Sequence, residues 1–190
     1  MLLEASLAFQ QTISGNKSYK EALALTRQFS EGNVWIIGGT VFRSIAQAWY
    51  GTSSENSDFD FIVEKLLLIN NLDGWNIGCT RFGSPRLKKA DLLVDIVPLN
   101  DMVNIKRKDL APTIDNYLAT VPLTIQSIVY DITTKKIMGA VGINALKTRT
   151  VGINDSSTAI EYASSLGLSV NDLILEKASS LGFTPQLMNE

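Results

Sequence analysis

Histidine is absent from the 190 residues of this chain. That excludes serine–histidine hydrolases, cysteine–histidine proteases, histidine-ligated zinc and histidine general bases. Any chemistry must run on carboxylates, lysine, arginine, hydroxyls or a metal. Cysteine is nearly absent too: the lone Cys79 excludes an internal disulfide and fits a reducing, cytoplasmic setting. No excess of positive charge exists either, with 17 Lys and Arg against 19 Asp and Glu and a formal net charge of −2. Such a balance offers a polyanion no general attraction, because that affinity rests largely on Lys/Arg–phosphate contacts. The longest apolar runs, Leu66 to Ile69 and Leu92 to Val97, are far too short to span a bilayer, so no membrane association is expected. The opening MLLEASLAFQQT carries Glu4 and no basic leader, and no secretory signal is expected there. At 45% hydrophobic and 19% charged residues, the chain is expected to be globular, with one core and room for a small appendage.

Periodicity predicts helices over 2–13 and 18–29, the second capped by Ser18. Val34 to Ile37 reads as a buried strand, followed by a helix from Thr40 to Tyr50 that Gly51 stops. A loop over Thr52 to Ser57 leads to a strand from Asp58 to Val63. Trp75 to Phe82 and Arg86 to Val97 read as two strands joined through Gly83-Ser84-Pro85. A helix capped by Thr113, a β-rich run over Leu123 to Ile132, and a turn into a short strand over Lys136 to Met138 come next. Helices over 140–147, 155–166 and 170–181 close the chain. The expected class is α/β (α+β): a mixed sheet flanked by helices over 1–138, with a small helical extension over 139–190.

The chemistry concentrates between Val34 and Val63. A strand that runs into Gly38-Gly39 and then a helix presents backbone N–H groups and a positive helix end to an anion. Taken alone, the glycine pair also fits a plain tight turn. In SDFDFIV the alternation of a strand puts Asp58 and Asp60 on one face and Phe59, Phe61 and Val63 on the other. Two carboxylates a few Å apart repel each other unless a cation lies between them. The alternative is a solvated strand end. Asp95 sits inside the apolar run LLVDIVPL, where an isolated charge is costly. If its strand lies beside that of Asp58 and Asp60, three carboxylates converge, enough for two divalent cations. Asp91 shares the strand parity of Asp95 and is expected to be a solvated neighbour. Beside a turn that can hold phosphate, these acids point to magnesium-dependent transfer from a nucleoside triphosphate. Ser44 could reach a phosphate from the first turn of its helix, or merely cap it.

This order of motifs resembles the DNA polymerase β-type nucleotidyltransferase superfamily. More closely, the chain is similar to the head domain of bacterial poly(A) polymerases and CCA-adding tRNA nucleotidyltransferases. The family pattern GGxVRD followed by DxD stands here as GGTVFRS and DFD. The family stretch RRDFTINALAYD is echoed by VPLTIQSIVYD at 121–131, and RFAAQLGF by EYASSLGL at 161–168. The resemblance implies Asp58, Asp60 and Asp95 as catalytic and metal-binding residues with two Mg²⁺ ions. It also implies Gly38, Gly39, Arg43 and Ser44 around the nucleotide. The acceptor is an RNA or tRNA 3′ end, a protein or a small molecule, and a catalytically silent nucleotide-binding module is the rival. Departures are specific: Phe42-Arg43 replaces Arg-Asp, Thr120-Val121-Pro122 replaces Arg-Arg-Asp, and the base-reading arginines of the neck have no counterpart.

Overall fold

The computed structural model describes residues 2–52, 57–69 and 72–188; residues 53–56 of the expected loop over Thr52 to Ser57 lie outside them. In chain order the elements are α1 (Leu2–Ile13), α2 (Lys17–Gln28), β1 (Ser30–Ile37), α3 (Gly38–Tyr50), β2 (Asp58–Leu66), β3 (Asn76–Cys79), β4 (Pro85–Lys89) and β5 (Leu92–Pro98). They continue as α4 (Val103–Arg107), α5 (Ile114–Thr120), β6 (Val129–Asp131), β7 (Lys136–Met138), α6 (Ala140–Thr148), β8 (Thr150–Val151), α7 (Ser156–Ser165), α8 (Val170–Leu181) and β9 (Thr184–Pro185). Among the described residues no helix is long and apolar enough to cross a membrane.

Seven strands form one mixed sheet in the order β3-β4-β5-β2-β1-β6-β7. The β2–β5 pair is parallel and its neighbours pair antiparallel. The two faces bury different things. On one face Ile36, Phe59, Phe61, Val63, Val94 and Ile96 pack under α2 and α3, and α1 and α6 add to the same core. Phe59 and Phe61 are about fully buried, and each such side chain contributes roughly 1.5–3 kcal/mol by leaving water. On the other face Trp35, Ile37, Ile62 and Val129 cluster with Leu99, with Ile105 of the short α4, with Ile114, Tyr117 and Leu118 of α5, and with Val121. That thinner cover leaves the β2–β5 end of this face open.

The strand expected over Arg86 to Val97 is instead a hairpin. Ala90 adopts a left-handed φ of 50° and turns β4 back against β5. Asp91 therefore lies in the turn, not on the strand carrying Asp95. The β-rich run over Leu123 to Ile132 supplies only β6, preceded by a 3-10 turn at Thr124–Gln126. The α2 cap is Asn16, whose side chain accepts from the Tyr19 amide, while Ser18 is inside the helix. Thr113 caps α5 as expected. Residues after 139 share the main core: Ile143, Leu146, Ile174, Leu181 and Phe183 join the cluster that begins at Ala5. The entry to this part is tight, since a Cβ on Gly142 would lie 2.5 Å from the Ser127 carbonyl oxygen.

Candidate active site

Strand pairing brings the three acids to the open face. Asp58 and Asp60 leave the same side of β2, and Asp60 stands in register with Asp95 on β5. Parallel neighbours are about 4.8 Å apart. Ile37, the last residue of β1, is the register partner of Asp60 on the other side, so the turn into α3 meets the acids directly. Gly38 there has φ 69°, and a Cβ on it would lie 3.0 Å from Asp60 Oδ2. The N-cap of α3, Ile37, makes no side-chain capping hydrogen bond, and a helix N-terminus presents amide groups suited to an anion. The Thr40 hydroxyl donates to the Asp58 carbonyl at 3.1 Å, tying the first turn of α3 to the start of β2.

The acids are not equivalent. Asp95 is nearly buried, and Arg86 donates to both of its oxygens, Nε at 2.8 Å and Nη2 at 2.7 Å. Among the described residues Asp60 has no such bidentate partner. Burial first, then the charges of Asp95 and Asp58, push its carboxyl up to about 6, with Arg86 and Arg43 acting the other way. Burial and the charge of Asp60 also raise the phenol of Tyr117 beneath it. Among the described residues, no three acidic or thiol side chains are grouped as a metal-binding set. The strands carrying the three acids are adjacent, but Asp95 is occupied by Arg86.

The remaining residues expected around a nucleotide are placed differently. The Arg43 guanidinium lies over the Gly39 Cα, 3.2 Å from where a Cβ would be. It also stands near Lys177 of α8, whose ammonium is pushed down by burial and then by Arg43. Ser44 is 4% exposed, packed in α3, with its carbonyl accepting from Thr12. Trp35 is buried in the cluster under α4 and α5, and Trp49 and Trp75 are packed against the main core on the other side of the sheet.

Gly38, Asp60, Asp95 and Arg86 line a cleft of about 740 Å³. One wall is the turn Thr80–Ser84, another is α4 with Asn104 and Arg107, and the roof is α7 with Thr158, Glu161, Tyr162 and Ser165. The roof is tied down by ion pairs of Arg107 with Glu161 and of Lys108 with Asp155, and by an Arg81–Ser165 hydrogen bond of 2.9 Å. Neither Arg86 nor the Arg81–Phe82 turn was singled out in the sequence. The signal for Arg86 was the alternation PRLKK, which becomes legible only once the turn at Ala90 is placed.

No protein-family model matches the sequence. No curated protein matches it significantly. Solved structures do match. An apo tRNA-processing enzyme superposes with a TM-score of 0.55 at 17% identity, over 92% of this chain and 44% of that one. A CCA-adding enzyme in complex with ATP gives 0.55 at 15% identity, over 94% of this chain and 41% of that one. A tRNA-processing enzyme with CTP gives 0.52 at 18% identity, over 86% and 42%. The chain shares its fold, a mixed sheet flanked by helices, with these structures. At these identities the likeness speaks to the fold, and the chain spans less than half the length of these structures.

Proposed function

We propose that this chain is a metal-dependent nucleotidyltransferase that moves a nucleoside monophosphate from a nucleoside triphosphate to an acceptor hydroxyl, releasing pyrophosphate. The observation that carries this reading is the register of Asp60 with Asp95 beside Gly38 at the floor of one cleft. The fold likeness to enzymes bound to ATP and CTP agrees with it.

The donor chemistry suits a hard divalent cation. Asp58 and Asp60 offer carboxylate oxygens from one strand face, and burial, then the neighbouring charges of Asp95 and Asp58, raise the pKa of Asp60. Magnesium takes one or two carboxylates and completes its shell with phosphate oxygens and water. Asp58 and Asp60 would hold the two Mg²⁺ ions, and Asp95 would share one of them once Arg86 turns away. When bound, Mg²⁺ neutralises the triphosphate and lowers the pKa of the attacking hydroxyl. Gly38 and the first amides of α3 receive the phosphates, and the missing Cβ lets them approach Asp60. The Arg86–Asp95 pair holds β4 and β5 in place beneath the reacting groups. Positioning and charge neutralisation supply the acceleration, as expected for this chemistry.

The test is incubation with each labelled nucleoside triphosphate and Mg²⁺, first with total RNA and then with cell extract, following pyrophosphate release and the fate of the label. Asp58→Ala and Asp60→Ala are each expected to lose at least roughly a hundredfold in rate while remaining folded. Full activity in either variant would overturn the reading. The acceptor is read from the labelled product: an RNA or tRNA 3′ end, a protein or a small molecule. A second reading, a silent nucleotide-binding module, is favoured by the closed Arg86–Asp95 pair. Binding of nucleotide with no pyrophosphate release would select it.

A further inference from the structure

We propose that Phe82 holds a nucleobase by stacking, in the same cleft that carries Asp60 and Asp95; this rests on the nucleotidyl-transfer reading above. Phe82 is 54% exposed, yet it is held on a built support. The Thr80 hydroxyl accepts from the amides of Phe82 and Ser84, and Gly83 at φ 85° closes the turn onto the Thr80 carbonyl. Behind the ring, the Arg81 guanidinium lies 4.6 Å from its centroid and 5.6 Å from that of Tyr162. Arg81 also donates to Ser165 on α7 at 2.9 Å, so the stack is anchored to the cleft roof.

The result is a half-exposed phenyl ring with a cation against it, at the wall of a cleft that Asp60, Asp95 and Gly38 also line. Nothing in the hydrophobic core uses the ring. An aromatic platform of this kind binds planar heterocycles without reading their edges, because every base has a π-face. The ligand is therefore a nucleobase attached to phosphate. Two sources carry that chemistry: the incoming nucleoside triphosphate, and the terminal nucleotide of a nucleic-acid acceptor.

The experiment uses the full chain and calorimetry with Mg²⁺ and three probes: ATP, inorganic tripolyphosphate and an oligoriboadenylate. Loss of one stacked base corresponds to roughly 5- to 150-fold weaker binding. If the triphosphate is the source, Phe82→Ala weakens ATP by that factor, leaves tripolyphosphate unchanged, and Phe82→Trp restores ATP binding. If the acceptor is the source, the same pattern appears with the oligoriboadenylate while ATP is unaffected. Because Phe82 is exposed on a turn, the alanine variant is expected to keep the wild-type melting temperature. ATP and oligomer affinities both unchanged in Phe82→Ala would overturn the stacking role and leave the nucleotidyl-transfer reading intact. Failure of the wild type to bind ATP, tripolyphosphate or the oligomer would overturn both.

Discussion

Asp60 and Asp95 face each other across the parallel β2–β5 pair, but among the described residues only Asp95 of the two forms an ion pair, with Arg86 on β4. This asymmetry leaves Asp60, next to Gly38, the acid whose carboxyl is pushed up by burial and by its acidic neighbours. It sets how the chain responds to pH, to metal and to substitution.

The raised pKa of Asp60 makes stability fall as pH rises. Its ordinary value is 3.8 and its folded value about 6, so between these the folded state holds a proton that the unfolded state has lost. Stability therefore declines from about pH 4 to about pH 6 and then levels off. In chelator, Asp60→Asn is expected to match the wild type near pH 4 and exceed it by up to about 3 kcal/mol at neutral pH. Urea unfolding across this range checks it; parallel curves for the two proteins would contradict the assignment.

Removing Arg86 exposes the acid pair. Arg86→Met leaves Asp95 beside Asp60 with no cation, at a cost between that of an exposed and a buried broken pair, about 1–3 kcal/mol. Divalent cation is expected to restore much of that loss by taking the place of the guanidinium. Thermal melts in chelator and in Mg²⁺ measure this directly. A variant whose melting ignores Mg²⁺ would argue against any metal at these carboxylates.

The two glycines of the turn are expected to behave differently. Gly38→Ala forces a left-handed φ of 69° on alanine, costing about 1–2 kcal/mol, and sets a methyl 3.0 Å from Asp60 Oδ2. Gly39→Ala meets only the flexible end of Arg43. Melting temperature and transfer rate should both drop for the first and change little for the second. Equal losses would mean that the pair acts merely as a loop.

Much of this site was legible because strand alternation is a strict rule. SDFDFIV assigns Asp58 and Asp60 to one face and Phe59 and Phe61 to the other, and the structure keeps that division. GGT before a helical pattern likewise located the turn. Arg86 was hidden because Arg86 to Val97 reads as one continuous strand, in which a residue nine positions from Asp95 is remote. The left-handed Ala90 folds that stretch into a hairpin and lays Arg86 opposite Asp95. No glycine or asparagine marks that turn, so its chemistry is weak in the sequence. Leu123 to Ile132 misled for a different reason: its β-branched residues are buried by α6 and the core, and burial rather than pairing selected them.

Asp155 is where the cleft roof is fastened. It caps α7 by accepting from the Thr158 amide at 2.8 Å and pairs with Lys108, at the end of α4, at 2.6 Å. Partial burial disfavours its charge, but Lys108, Thr158 and Ser157 outweigh it and hold the carboxyl well below the usual carboxylate range. A depressed pKa stabilises the fold above the unfolded value of 3.8, and that support is lost as pH falls below it. Asp155→Asn keeps a capping oxygen and loses the ion pair; Asp155→Ala loses both, adding about 1 kcal/mol. Both variants should be less stable than the wild type at neutral pH, with the gap closing in acid. Because α7 carries Glu161 and Tyr162 over the cleft, loosening it is also expected to raise the KM for the nucleotide more than it lowers kcat. A stability gap that persists unchanged at low pH would show that the cap, and not the Lys108 pair, holds the roof.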